Sequence, residues 1–136
     1  MKNIIVEYKG QVKAAASGPG DFIAAILNAS TSVHFLHFRT KSFSKHEALG
    51  DLYSGLVSIA DTLTESYQGR HQVILDFPVQ SVTVPTDELS YVLQLHKYVL
   101  DSRYAFAPAE ETELQNIVDE LISLIDKAAY KLKFLA

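Results

Sequence analysis

Four amphipathic segments, turn signals between them and one long connection mid-chain predict an all-α protein, a four-helix bundle in a single domain spanning residues 1–136. A chain of 136 residues holds one hydrophobic core and leaves no room for a second. With 48% hydrophobic residues it is too apolar to be disordered, and with no Cys it has no disulfide framework. Lack of Cys also suits a reducing compartment. The apolar run in the first nine residues is too short for a signal segment, and nothing approaches the ~20 apolar residues that span a bilayer. The expectation is a cytoplasmic protein with no membrane partner. A net charge of −4 argues against a nucleic-acid partner, whose phosphates demand clustered Lys and Arg. Lys2, Lys9 and Lys13, interrupted by Glu7, read as a solvated N-terminal arm over residues 1–19.

Segment one runs from Asp21, an N-cap candidate behind Gly18-Pro19-Gly20, to about Thr40. Phe22, Ile26, Ala29, Val33 and Leu36 form its apolar stripe. Segment two opens on Ser44-Lys45-His46-Glu47, which has the form of a capping box, and closes at Gly69. Its stripe is Leu49, Leu52, Tyr53, Leu56, Ile59, Ala60 and Leu63. Segment three follows Pro85-Thr86 and runs to about Phe106, with Leu89, Val92, Leu93, Val99 and Leu100 facing inward. Segment four starts near Pro108, and Leu114, Ile117, Val118, Leu121, Leu124, Ile125, Ala128 and Leu132 recur at steps that keep them on one face.

Residues 70–85 join segments two and three, with β-branched runs at Val73–Phe77 and Val79–Val84. A connection that long lets the chain cross the bundle and start the third helix parallel to the second. A two-stranded ribbon on an up-and-down bundle is the competing reading.

The polar side of segment two carries Glu47, Asp51, Ser54, Ser58, Asp61, Thr62 and Glu65 in one arc at 100° per residue. Most such arcs are solvated surface, and Glu47 has a capping role to explain it. Asp61 and Glu65, one turn apart, repel each other unless a cation intervenes. Three imidazoles, His34, His37 and His46, fall within thirteen positions at a helical hairpin. Either His34 or His37 can approach His46; axial bookkeeping at ~1.5 Å per residue leans toward His37. Asp61 lies 15 residues beyond His46, ~22 Å along a helix, so imidazoles and carboxylates cannot share a metal within one chain. Antiparallel second helices in a two-fold dimer would bring them together twice. Imidazole with carboxylate and no thiolate suits iron, zinc or manganese. His96 reads as a core histidine with one hydrogen-bonding partner, and His71 has no constellation around it.

The order His34, then His46-Glu47 twelve positions later, Asp61 fifteen beyond and Glu65 four further on resembles the signature of the Dps mini-ferritins. Phe43, Leu49, Leu56 and Leu63 match that family's apolar positions, and the resemblance covers residues ~20 to ~69. It implies a ferritin-like four-helix bundle with its crossover between helices two and three. It also implies ferrous iron bound and oxidised at inter-subunit sites, with His34, His46, Asp61 and Glu65 as metal ligands. A homodimer or larger homo-oligomer follows, usually a hollow dodecamer storing iron. Two positions depart from the pattern: the family's Asp four residues after the second His falls on Gly50, and its Trp after the first His on Phe35. Loss of that carboxylate predicts weaker iron binding.

Overall fold

The computed structural model describes residues 14–136; the arm lysines Lys2, Lys9 and Lys13 lie outside the described residues. Four α-helices are its regular elements: α1, Pro19–Arg39; α2, Phe43–His71; α3, Glu88–Phe106; and α4, Thr112–Phe134. No strand occurs among the described residues, so the ribbon reading is set aside. Each of α1 and α4 packs against both α2 and α3, which places α2 and α3 across the diagonal of a four-helix bundle.

Polar contacts at the helix ends give the directions. His71 and Arg70, closing α2, meet Glu111 and Glu113 at the start of α4, while Lys131 near the end of α4 reaches Asp51 at 3.4 Å. These two helices are therefore antiparallel. Lys45 in the first turn of α2 pairs with Glu88 at the start of α3 at 3.5 Å, so α2 and α3 begin at the same end of the bundle. Between them the chain must return the whole length of α2, ~43 Å for 29 residues. Sixteen residues of extended chain reach ~53 Å, which suffices.

The return path lies along α1. The Asp76 carbonyl passes over Gly20, Gln80 bonds Asn28 at 2.8 Å and Asp21 at 2.9 Å, Ser32 donates to the Thr83 carbonyl at 2.8 Å, and Arg39 to that of Pro85 at 3.1 Å. The β-branched residues favour extended backbone. Side chains of α1, rather than a neighbouring strand, satisfy several of its polar groups. A Cβ on Gly20 would lie 1.9 Å from the Asp76 carbonyl oxygen, so the close passage requires glycine.

Helix boundaries depart from the sequence expectation where a neighbouring residue caps better. Helix α1 begins at Pro19, and Asp21 sits in its first turn, its carboxylate accepting from the Ser17 amide at 2.9 Å. The N-cap of α2 is Ser42, whose hydroxyl accepts from the Lys45 amide at 3.3 Å. Ser44 then falls inside the first turn, so no capping box with Glu47 forms and that carboxylate is left exposed. Helix α2 runs through Gly69, which has open space around it, to His71, where Gln72 turns left-handed at φ 56°. Helix α3 is capped by Asp87, whose side chain accepts from the Ser90 amide at 2.8 Å. The α3–α4 turn keeps Pro108 outside the helix, so α4 starts at Thr112.

The expected stripes of α1, α2 and α4 form the core; of their residues, Tyr53, Ile59, Ile117 and Leu124 are only partly buried. Helix α3 is rotated from expectation. Tyr91, Leu95 and Tyr98 turn inward with Val92 and Val99, while Leu93 and Leu100 stay 52% and 45% exposed. Residues 91, 92, 95, 98, 99 and 102 also make a helical stripe, and the large rings decide between the two registers. Phe22 provides the packing partner, its ring 6.1 Å from Tyr98 and 5.1 Å from Phe106.

Candidate functional site

The short link of residues 40–42 folds α1 and α2 into a hairpin, and the three imidazoles gather where the helices meet. His34 and His37, three residues apart, lie on one side of α1. His46, Gly50 and Tyr53, at steps of four and three, lie on the side of α2 that faces them. The His37 and His46 rings stack face to face, with centroids 3.7 Å apart and planes at 21°. Nδ1 of His37 donates to the His46 carbonyl at 2.7 Å, and Nδ1 of His46 donates to the His37 carbonyl at 3.0 Å.

This reciprocity has a local cause. The His37 carbonyl is among the last four of α1, which lack an amide partner inside the helix, and the His46 ring supplies one. Because a carbonyl only accepts, each Nδ1 carries the proton, and Nε2 of the neutral ring keeps its lone pair.

Gly50 makes room for the pair. A Cβ there would stand 3.2 Å from Cε1 and 3.3 Å from Nδ1 of His37, tighter than ordinary van der Waals contact. An acidic side chain at position 50 would compete with that ring for space.

His34 is held differently. Its ring lies 3.8 Å from that of Tyr53, nearly parallel at 11°, and 4.5 Å from Phe38, with His37 at 5.9 Å and tilted by 61°. Tyr53 is tied across the hairpin by its carbonyl, which accepts from the Ser30 hydroxyl at 2.8 Å. Among the described residues the ring nitrogens of His34 make no hydrogen bond, and no ring contact joins His34 to His46.

Every member of the α2 polar arc is exposed, Asp61 and Glu65 included. Neither of those two carboxylates has an ion-pair partner among the described residues. No three His, Cys, Asp or Glu side chains come together as a metal site among them either. Within one chain, then, His34 and His46 lie at the hairpin while Asp61 and Glu65 lie several turns along α2, the separation that the spacing requires.

Several features escaped sequence reasoning. Phe43, at a position where the resemblance implies a core apolar residue, is 76% exposed, and Phe38 is 67% exposed. With Ser42 as N-cap, Phe43 is the first helical residue of α2 and lies outside the core. His71 does have partners: its Nε2 sits 2.8 Å from Glu111 and its ring 4.3 Å from Tyr67. Arg70 joins this cluster through Glu111 and Glu113, and its hydrogen bond holds the Glu113 carboxyl below the usual range. His96, read as a core histidine, is partly exposed and pairs with Asp126 of α4 at 3.0 Å. The first cluster joins α2 to α4 and the second joins α3 to α4.

No helix among the described residues is long and apolar enough to cross a membrane. A family described as being of unknown function, DUF5856, matches residues 37–132, and the chain belongs to it. The matched span takes in His37, His46, Gly50, Asp61 and Glu65 and begins after His34. An uncharacterized 14.6 kDa protein from the mobD-ri intergenic region of Enterobacteria phage T4 is 23% identical over 114 residues, covering 82% of this chain and 85% of that protein. No solved structure matches.

Proposed function

We propose that this member of DUF5856 is a ferritin-like, Dps-like protein that binds ferrous iron between two copies of the chain and oxidises and sequesters it. The observation that carries this reading is the row of hairpin imidazoles, two of them with Nδ1 committed to a carbonyl and Nε2 left for a cation. A diagonal α2–α3 pair joined by a connection along α1 supports the ferritin-like assignment. Asp61 and Glu65, exposed and without ion-pair partners among the described residues, are the carboxylates a second copy would contribute. The ligand set is then His34 and His46 from one copy with Asp61 and Glu65 from the other, His37 contesting the place of His34. Imidazole and carboxylate donors suit iron, which here is cargo and substrate.

A second reading has its own observation. His37 and His46 each bond the backbone of the opposite helix, so the pair also serves as a clasp for the hairpin of a ferritin-like structural or interaction protein with no ferroxidase activity.

Metal content and solution mass of the purified protein, followed by ferrous iron oxidation under air, separate the two. Each C₂ site needs both chains, so His46→Ala and Asp61→Asn should each abolish binding. Mixing the two variants should restore one intact site per heterodimer, because one half-interface collects both changes and the other neither. A wild-type protein that binds no divalent metal at neutral pH, with mixtures that behave like their parents, would leave the structural reading in its place.

A further inference from the structure

The two ends of the bundle differ in charge, and each exposes apolar side chains that the core does not use. We propose that the chain associates head to tail, the end formed by the α1–α2 hairpin docking on the opposite end of a second copy. The contact uses neither the imidazoles nor the polar arc of α2, so it stands apart from the metal reading above.

The hairpin end collects the close of α1, the starts of α2 and α3 and the close of α4. Within the terminal five residues of those helices and the chain flanking them, Arg39, Lys41, Lys45, Lys131 and Lys133 stand against three carboxylates, Glu47, Asp87 and Glu88, a net of +2. Lys41 and Lys133 have no carboxylate partner among the described residues. Phe43, Phe134 and Leu135 are each more than half exposed at this end.

The other end collects the start of α1, the closes of α2 and α3 and the start of α4. There Arg70 and Arg103 stand against Asp21, Asp76, Glu110, Glu111 and Glu113, a net of −3. Both arginines are already paired within the chain, whereas Asp76 and Glu110 have no cationic partner among the described residues. Where the connection leaves α2, Val73, Ile74 and Phe77 are exposed, Ile74 at 82%.

Single exposed apolar residues are ordinary, but a group rimmed by charge marks a contact surface. An anionic lipid surface or a nucleic acid would engage the basic end and leave the apolar residues of the acidic end in water. A second copy covers both ends at once. Like ends repel and unlike ends attract, so charge selects a heterologous contact over a two-fold one. Such a contact closes into a ring or runs on as a filament, according to the rotation from copy to copy.

Sedimentation of the full chain over a range of concentrations tests this. Wild-type association should weaken at least ~10-fold between 0.1 and 1 M sodium chloride, as the screening length falls from ~10 to ~3 Å. Phe43→Asp and Ile74→Asp, at exposed positions that leave the core intact, should each weaken it by ~30-fold or more, the loss that a central apolar contact carries. Mixed together, the two variants should reach a mass above that of either parent, because the Ile74→Asp copy keeps an intact hairpin end and the Phe43→Asp copy an intact acidic end. A mixture that sediments like its parents overturns the inference, as does a wild-type mass that neither substitution lowers. If Phe43→Asp alone dissociates the protein and Ile74→Asp does not, the hairpin end meets itself and the head-to-tail contact is wrong. Binding of a monomeric wild type to phosphatidylglycerol vesicles or single-stranded DNA, lost in Phe43→Asp, would give that end to a different partner and also overturn it.

Discussion

Replacing Gly20 with alanine adds one methyl group where the chain returning from α2 crosses the start of α1. In an exposed helix this exchange stabilises by ~1 kcal/mol, because glycine loses more conformational freedom on folding. Here the new Cβ would stand 1.9 Å from the Asp76 carbonyl oxygen and 3.1 Å from its carbon. Relaxing that to a tolerable C···O distance of roughly 3.3 Å requires the connection to lift by ~1.4 Å. The atom in the way is backbone, which cannot rotate aside, so an overpacking cost of ~2–3 kcal/mol applies. Net destabilisation is then about 1–2 kcal/mol, a fall in Tm of roughly 3–8 °C for a domain of this size. Urea and thermal melts measure it directly. Gly69→Ala is the control, since nothing lies near that position and the ordinary helix gain of ~1 kcal/mol should appear intact. Should Gly20→Ala prove as stable as Gly69→Ala, the connection does not pass over α1 at Asp76, and the reasoning about the return path fails.

Further expectations follow from the helix ends, the core and one buried hydroxyl. Ser42→Ala should cost ~1 kcal/mol through loss of the α2 cap, whereas Ser44→Ala should stay within ~0.5 kcal/mol; urea midpoints decide which serine caps the helix. Leu95→Ala should cost ~2–5 kcal/mol and Leu93→Ala far less, because Leu95 is fully buried and Leu93 is half exposed; the reverse order would put α3 back in the register its leucines suggest. Burial pushes the Tyr91 hydroxyl up from 10.0 to about 12, with the Ser32 hydroxyl partly offsetting it. The folded chain thus holds that proton more tightly than the unfolded chain. Its stabilisation is complete below pH ~10 and is lost as pH rises from about 10 to about 12. Tyr91→Phe should flatten the alkaline limb without abolishing it, since burial also raises Tyr98; urea midpoints from pH ~9 to ~11.5 that match the wild-type profile would count against a buried Tyr91.

Local patterning determined the helix count and most of the core. An apolar residue recurring every three or four positions can bury itself only on a helix, so Val33 and Leu36, Leu49 and Leu63, Leu114 and Ile125 lie inside as their spacing requires. Spacing alone also separated His46 from Asp61, because fifteen residues on a rigid helix cannot be folded back. Tertiary packing settled what two local patterns contested. Helix α3 carries two overlapping stripes, and the fit of Tyr98 and Phe106 against Phe22 selected the one with aromatic residues. Ser42 and Ser44 are both competent caps, and backbone conformation at the hairpin chose the first. The pairing of His37 with His46 depended on the crossing of two helices and on the missing side chain of Gly50. Axial spacing leaned toward His37, but spacing within one helix does not fix the distance to a neighbour, so the packing of α1 on α2 decided between the two imidazoles.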